Sequence, residues 1–500
     1  MSAVLSVWVG QLLVLSVLTV VIIGNIVSEL YLKKFHSDEG GTSGRYGAIT
    51  IGLSYYAAGM GAWVLSLGPH VGGKFGLVGV VGYGLACSLP QFLVMWLGPL
   101  VRAGGVGSAA EIDACNSETT TPVPPPTPPT IPSLTDWVRN RFGISMAVLI
   151  SLVSLFYMGT FMITELRTVG EAVELLTGLP AWRSVVPVAA ISSFQSQGGF
   201  LGHAVQGVAC AILVAVGVAC SLTSPPTGTP PPPPSLVPSF ISVFTLCLSV
   251  ASAELMNMTE WQRVWASKNK SSLRGGLMIA IALVWGTVSC FGLVGYQERG
   301  GGDIDGNFYN VFFDAVGRAG PGVGAVAALI VLALASSTVS ALQGAILGVL
   351  WGWVGNKFNR FSQKLLSISI SLVFSGICSY VALEARIPLI DLFMIANWIA
   401  GAVAVPVFLG LLKRVGRLGA GFGVISAVVV GLGWGWVKEG KMTGIIQLTT
   451  EIWKWETLLF FSISLLTGGL VTIGSSWFVD KLKFPASEQR GQSDISESRV

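Results

Sequence analysis

The sequence predicts an all-α integral membrane protein of about thirteen transmembrane helices, ten of them in two five-helix repeats. Three observations lead there. Of the 500 residues, 52% are hydrophobic and 11% charged, with a mean hydropathy of +0.71, whereas a soluble domain carries roughly 25% charged residues. Apolar stretches long enough to cross a bilayer recur from end to end. Two of them, five spans apart, carry irregular small or polar residues, a spacing that suits two five-helix repeats.

The first span, 5–27, has no basic segment before it and is too long for a cleaved leader, so it reads as a retained helix within an N-terminal segment 1–46. The first repeat, 47–222, holds spans at 47–67, 76–100, 141–165, 182–198 and 202–222. The last two are the least regular, because Gln195, Gln197 and nearby glycines interrupt them. The loop 101–140 contains a proline-rich run at 122–132, and a second run at 225–238 fills the outer linker 223–238; both read as extended linkers. The second repeat, 239–411, holds spans at 239–256, 275–295, 322–350, 365–384 and 388–411. Two extra spans, 418–437 and 456–478, lie within 412–484, and the polar tail 485–500 is expected to be disordered.

Basic residues set the orientation. With the N-terminus outside, 20 of the 29 Lys and Arg fall on the inner side, so the C-terminus is expected in the cytosol, most simply at the plasma membrane. The net charge of +4 is then an inner-leaflet bias and implies no nucleic acid. The seven cysteines lack paired spacing and the three histidines lack metal-ligand neighbours, which argues against a disulfide framework or a zinc or haem site. The sequons at Asn257 and Asn269 fall on the expected inner side, where they would not be used.

Three stretches carry the chemistry. The run 333–340 places Ser336, Ser337, Thr338 and Ser340 inside a long apolar helix. The carbonyl of Ala333 and the hydroxyls of Ser336 and Ser337 share one face and suit a sodium ion, which takes hard oxygen ligands; the alternative is helix glue, each hydroxyl bonded to its own or a neighbouring helix. In the run 54–65, Gly59 and Gly61 weaken the helix by roughly 1 kcal/mol each, and a break there frees backbone carbonyls; the alternative is close packing through small residues. The run 249–254 ends in Glu254, a carboxylate within a span and so a functional candidate by default. At about 1.5 Å per residue it would lie roughly 22 Å inward, near the inner face. There it is either solvated or paired with Arg263, or else it couples substrate or protons.

Residues 57–65 (Ala-Ala-Gly-Met-Gly-Ala-Trp-Val-Leu) resemble the first core helix of the sodium:solute symporters, closest to the branch with the bacterial proline transporters. Further matches follow in order: Arg141-Phe142-Gly143; Gly198-Gly199 and then Gln206; Trp261 to Ala266 with Lys268, similar to a Gln-Arg inner loop; Ser336-Ser337; and Ile399-Ala400-Gly401 to Pro406 with Gly410, Lys413 and Arg414. Each motif is weak alone, but their joint order over 45–437 is specific.

The resemblance implies a LeuT-type fold, with two inverted five-helix repeats, one extra helix before and two after. It also implies sodium-driven uptake of a small solute. Sodium would be held by the carbonyls of Ala57 and Met60 and by Ala333, Ser336 and Ser337. Substrate would touch Gly59, Gly61, Trp63, Val64, Ser252 and Asn397. The chain departs from the pattern in having Gly59 where proline-type members carry an aspartate, in lacking the Asn and Gln of sugar-type members near this break, and in lacking the Thr-Asp expected between Gly199 and Gln206. The function expected is sodium-coupled symport of a small organic solute. A proton-coupled permease and a transport-inactive sensor are the alternatives. No span carries a His, Asp and Ser, or paired carboxylates, at a spacing that supports nucleophilic attack or proton transfer, and no phosphate-binding loop supports an ATP-driven pump. Partners beyond solute and membrane lipid are not specified by the sequence.

Overall fold

The computed structural model describes residues 5–16, 19, 44–105, 133–195, 199–222, 235–299, 308–354, 360–385, 388–440, 449 and 451–497. Most are helical, and the one β element among them is a single bridge between Tyr46 and Ser267. A short apolar helix, α1 (Val7–Ser16), precedes the bundle; the rest of the first expected span lies largely outside the described residues. The first repeat comprises α2 (Ala48–Gly59), α3 (Val64–Gly105), α4 (Leu134–Phe142), α5 (Ile144–Thr177), α6 (Trp182–Gln195) and α7 (Gly199–Leu222). The second comprises α8 (Leu236–Ala253), α9 (Met258–Ala266), α10 (Lys270–Gln297), α11 (Val311–Arg318), α12 (Pro321–Val354), α13 (Arg360–Glu384) and α14 (Leu389–Phe408). Then come α15 (Arg417–Glu439) and α16 (Trp455–Glu497). Nine helices among the described residues are long and apolar enough to cross a membrane. α3 is two helices joined at Gly76, whose φ of 67° suits a residue without a Cβ.

The two broken helices run in opposite directions. Backbone bonds join the residues before α2 to those after α9: Arg45 and Tyr46 N–H both donate to Ala266 O at 3.1 Å, and Lys268 N–H to Tyr46 O at 2.9 Å. The start of one and the end of the other therefore meet at one end of the bundle, as inverted repeats require. Arg102, Arg141, Lys413 and Arg414 belong to the same end, called here the basic end. Arg102 Nη1 donates to Ser267 O at 2.8 Å, and Arg141 donates to the carbonyls of Gly410 (2.9 Å), Leu412 (3.0 Å), Lys413 (3.1 Å) and Val415 (2.9 Å), satisfying the segment that follows α14. Leu5 N–H bonds Leu176 O at 2.9 Å, so α1 starts at the opposite end, where α5 finishes.

Several expectations are corrected. The span expected to stop at 165 continues to Thr177, where Gly178 ends it in the left-handed region at φ 69°. The added turns carry Arg167, Glu171 and Glu174, which the helix turns away from the core, while Glu165 stays buried. Residues 258–266 form α9 rather than an inner loop, with Trp261, Arg263, Val264 and Trp265 buried. Pro238 lies in the first turn of α8, where its missing N–H costs nothing. The helix of α16 runs to Glu497, past the expected end of order near 484. Asn257 and Asn269 are helix caps: their side chains accept from Thr259 N–H at 3.1 Å and Ser272 N–H at 2.7 Å.

Aromatic rings fill the basic end. Phe408 stacks on Trp261 at 5.3 Å and on Trp137 at 6.0 Å, and Phe142 meets Trp137 edge-on at 6.2 Å. All four are buried. Such rings dominate core energetics, and truncating one to alanine typically costs 3–5 kcal/mol.

Candidate functional site

Each helix break frees polar backbone groups that must be satisfied within the protein. α2 ends at Gly59, Met60 leaves the helix at φ −91° and ψ 89°, and helix resumes at Val64. The Ala57 carbonyl receives the Ser337 hydroxyl at 3.0 Å, with Thr338 Oγ1 at 3.5 Å. The Gly59 carbonyl receives the indole N–H of Trp63 at 3.0 Å. Beyond the break, the Val64, Leu65 and Ser66 amides reach the carbonyls of Gly61, Ala62 and Trp63. The Ala62 amide instead donates to Glu165 Oε2 at 2.7 Å.

Ser337 also lies 3.1 Å from Gln206 Oε1. Its single proton can serve the Ala57 carbonyl or the Gln206 amide oxygen, not both at once. Three hard oxygens with one proton between them are a fitting donor set for a small alkali cation. Beside them, the Ser336 hydroxyl is buried without a hydrogen-bond partner. Of the five residues expected to hold sodium, the structure joins Ala57 and Ser337 directly. Ala333 stands one turn before Ser337 on α12, and Met60 follows Ala57 at the end of α2. Thr338 and Gln206 are additions; the sequence showed Gln206 only as part of a motif.

The second break lies at 254–257, not within 249–254. Ser249 and Ser252 bond back to their own helix, to Leu246 O at 3.3 Å and Leu248 O at 2.8 Å, so α8 continues to Ala253. A single turn of 3₁₀ helix, Glu254–Met256, follows, and Asn257 is extended at ψ 106°. Because α9 completes the passage to the basic end, Glu254 sits at mid-bundle instead of near the inner face. Its carboxylate accepts the Asn257 amide at 2.8 Å and meets the Tyr157 hydroxyl; Arg263 instead donates from Nε to Ser54 Oγ at 3.0 Å.

Both breaks open onto one cavity of about 60 Å³, room for about two waters. Gly59, Met60 and Trp63 contribute from the first break, Glu254 and Glu260 from the second, Tyr157 and Phe161 from α5, and Phe393 and Asn397 from α14. Trp63 is ringed edge-on by Tyr83, Phe161 and Phe393 at 6.2, 6.3 and 6.5 Å. Two acceptors in this wall, Glu260 Oε2 and Asn397 Oδ1, are buried without a hydrogen-bond partner. The cavity is therefore rich in acceptors and aromatic faces. Of the six residues expected at substrate, Gly59, Trp63 and Asn397 line it. Gly61 faces Glu165, Val64 is buried in the core, and Ser252 packs on Gly401. Glu165, Glu260 and Tyr157 went unrecognised in the sequence. An intramembrane carboxylate is a signal in itself, but Glu165 fell at an expected span end and Glu260 in an expected loop.

No family model matches the chain. It is 23% identical over 472 residues to the spermidine transporter DUR31 of Candida albicans, covering 89% of this chain and 84% of that protein. Among solved structures it is similar to a substrate-bound, outward-open Na+-coupled sialic acid symporter, with a TM-score of 0.65 at 13% identity over 94% of this chain and 98% of that one. It is also similar to the manganese transporter of Eremococcus coleocola, with a TM-score of 0.50 at 13% identity over 85% and 94% of the two chains. These likenesses give a LeuT-type fold in an integral membrane protein. Along nine-tenths of its length the chain is similar to a transporter of a small solute, and it is transporters, not enzymes, that it resembles in both sequence and fold.

Proposed function

We propose that this chain is a secondary active transporter of the sodium:solute symporter type, importing a small organic amine, polyamines included, together with sodium. The observation that carries this reading is the cavity where both helix breaks meet: it holds two carboxylates, two buried unpartnered acceptors and a ring of aromatic faces. Ammonium groups supply several donors each and bind both carboxylates and aromatic faces. The relationship to a spermidine transporter supports the same substrate class. Sodium coupling is supported by the convergence of Ala57, Ser337 and Gln206 beside the first break. The charge bias supports an inner basic end, with the N-terminus outside and the C-terminus in the cytosol at the plasma membrane.

The energetics are adequate. Each positive charge moved inward down about 100 mV gains roughly 2.3 kcal/mol, a near fifty-fold gradient from one sodium alone. A polycation adds its own charge to that drive. The test is uptake of radiolabelled spermidine by cells expressing the chain, with sodium present or replaced by N-methylglucamine at fixed pH. Sodium-dependent accumulation is expected. Undiminished uptake without sodium rules out the coupling ion and favours a proton, and binding without uptake points to a sensor on the same fold.

A further inference from the structure

Transporters of this architecture present the N-terminal end of a half-helix to anionic groups of their substrates, because its free amides and dipole favour negative charge. In this chain that place is already taken. The half-helix beginning at Val64 has its next three amides satisfied from within, leaving those of Ala62 and Trp63 to an outside acceptor. The acceptor is Glu165: its Oε2 receives the Ala62 N–H at 2.7 Å, and the Trp63 amide stands near the same carboxyl. Glu165 is fully buried, and its other oxygen, Oε1, has no partner.

The fit is close. A Cβ on Gly61 would lie 2.0 Å from Glu165 Oε1 and 2.4 Å from Oε2, so only glycine lets the break approach the carboxylate. Tyr157, Phe161 and Glu165 follow one another at intervals of four on α5, one stripe of that helix. The first two line the cavity, and the third caps the half-helix one turn beyond. The protein's own carboxylate thus stands where a solute's carboxylate would bind.

We infer that Glu165 is a specificity-determining residue, a built-in acceptor that fills the half-helix terminus and excludes solutes bearing a carboxylate. This rests on the reading of the cavity as a solute site, and it sharpens that reading. A solute that cannot use the half-helix amides must be held through its amines, by Glu254, Glu260 and the rings. An α-amino acid would bring its carboxylate to a terminus whose amides already have an acceptor, and would leave that carboxylate buried without donors.

The discriminating pair is putrescine and ornithine, which share a diamine chain and differ by one carboxylate. In the unmodified protein, ornithine should compete with labelled putrescine at least a hundredfold more weakly than unlabelled putrescine does. Glu165→Ala frees the amides and opens space, and the ornithine-to-putrescine uptake ratio should rise tenfold or more. Glu165→Gln keeps an acceptor and the volume, and should leave the exclusion largely in place. Equal competition by ornithine in the unmodified protein overturns the inference even if no variant folds. So does an unchanged ratio in a Glu165→Ala protein that still takes up putrescine. Should neither compound be transported, a screen of solutes separates the two readings: a preferred neutral or cationic solute that is not a polyamine ends the polyamine reading and leaves this one standing, whereas a preferred carboxylated solute ends this one.

Discussion

Trp63 and Trp261 perform the same task at the two helix breaks, each donating its indole N–H to a carbonyl that the break releases, 3.0 Å to Gly59 O and 2.9 Å to Leu255 O. A buried acceptor stripped of its donor costs about 1–3 kcal/mol. Trp261→Phe keeps the ring stacked on Phe408 but loses the donor, so the protein's melting temperature in detergent should fall by a few degrees. A Phe variant as stable as the parent would show that the indole bond is dispensable.

The Phe142 ring lies against Gly410, where an added Cβ would approach its Cζ to 2.0 Å. Overpacking of this kind costs about 1–3 kcal/mol. Gly410→Ala should therefore lower thermal stability, and Phe142→Leu in the same chain should recover part of the loss. Additive losses in the double variant would refute the contact.

At the ion site, Ser336→Ala and Ser337→Ala each remove an oxygen with little volume. The sodium concentration for half-maximal uptake should rise tenfold or more, equivalent to about 1.4 kcal/mol. Ser340 is the control, because its hydroxyl donates to Ser337 O at 2.9 Å within its own helix. Uptake measured against sodium concentration distinguishes them; equal responses from Ser337→Ala and Ser340→Ala would reduce the serines to helix glue.

In the cavity, Glu254→Gln and Glu260→Gln remove charge and keep shape. For a cationic solute each should raise the KM by tenfold or more while surface expression stays near that of the parent. If neither variant changes the uptake kinetics or their pH dependence, the carboxylates serve structure alone.

The course of the helices was legible because long apolar runs are unambiguous in a membrane protein, and the first break because Gly59 and Gly61 stand two apart in mid-span. The second break was displaced by a few residues. Ser249 and Ser252 look like an interruption, yet their hydroxyls bond to carbonyls of their own helix and leave it intact, while the actual stop comes at Asn257, which caps the next helix. Arg141-Phe142-Gly143 and Gly410 were read as separate motifs. Only the fold shows that they touch, since nearly 270 positions of chain separate them. The same limit hid Glu165, whose meaning depends on the Ala62 amide 103 residues earlier.

The stack of Trp137, Phe408 and Trp261 bears on how the transport cycle responds to temperature. A path from the cavity to the basic end that ran between these rings would unstack them and admit water between them. Three large aromatic side chains bury about 150–250 Å² each. Wetting all of them would add a heat capacity of about 0.2–0.3 kcal/mol/K to that step, at about 0.45 cal/mol/K per Å² of apolar surface. The balance between closed and open states would then bend with temperature, so the conformational step, and with it the transport rate, would depart from a straight Arrhenius line although no part of the protein unfolds.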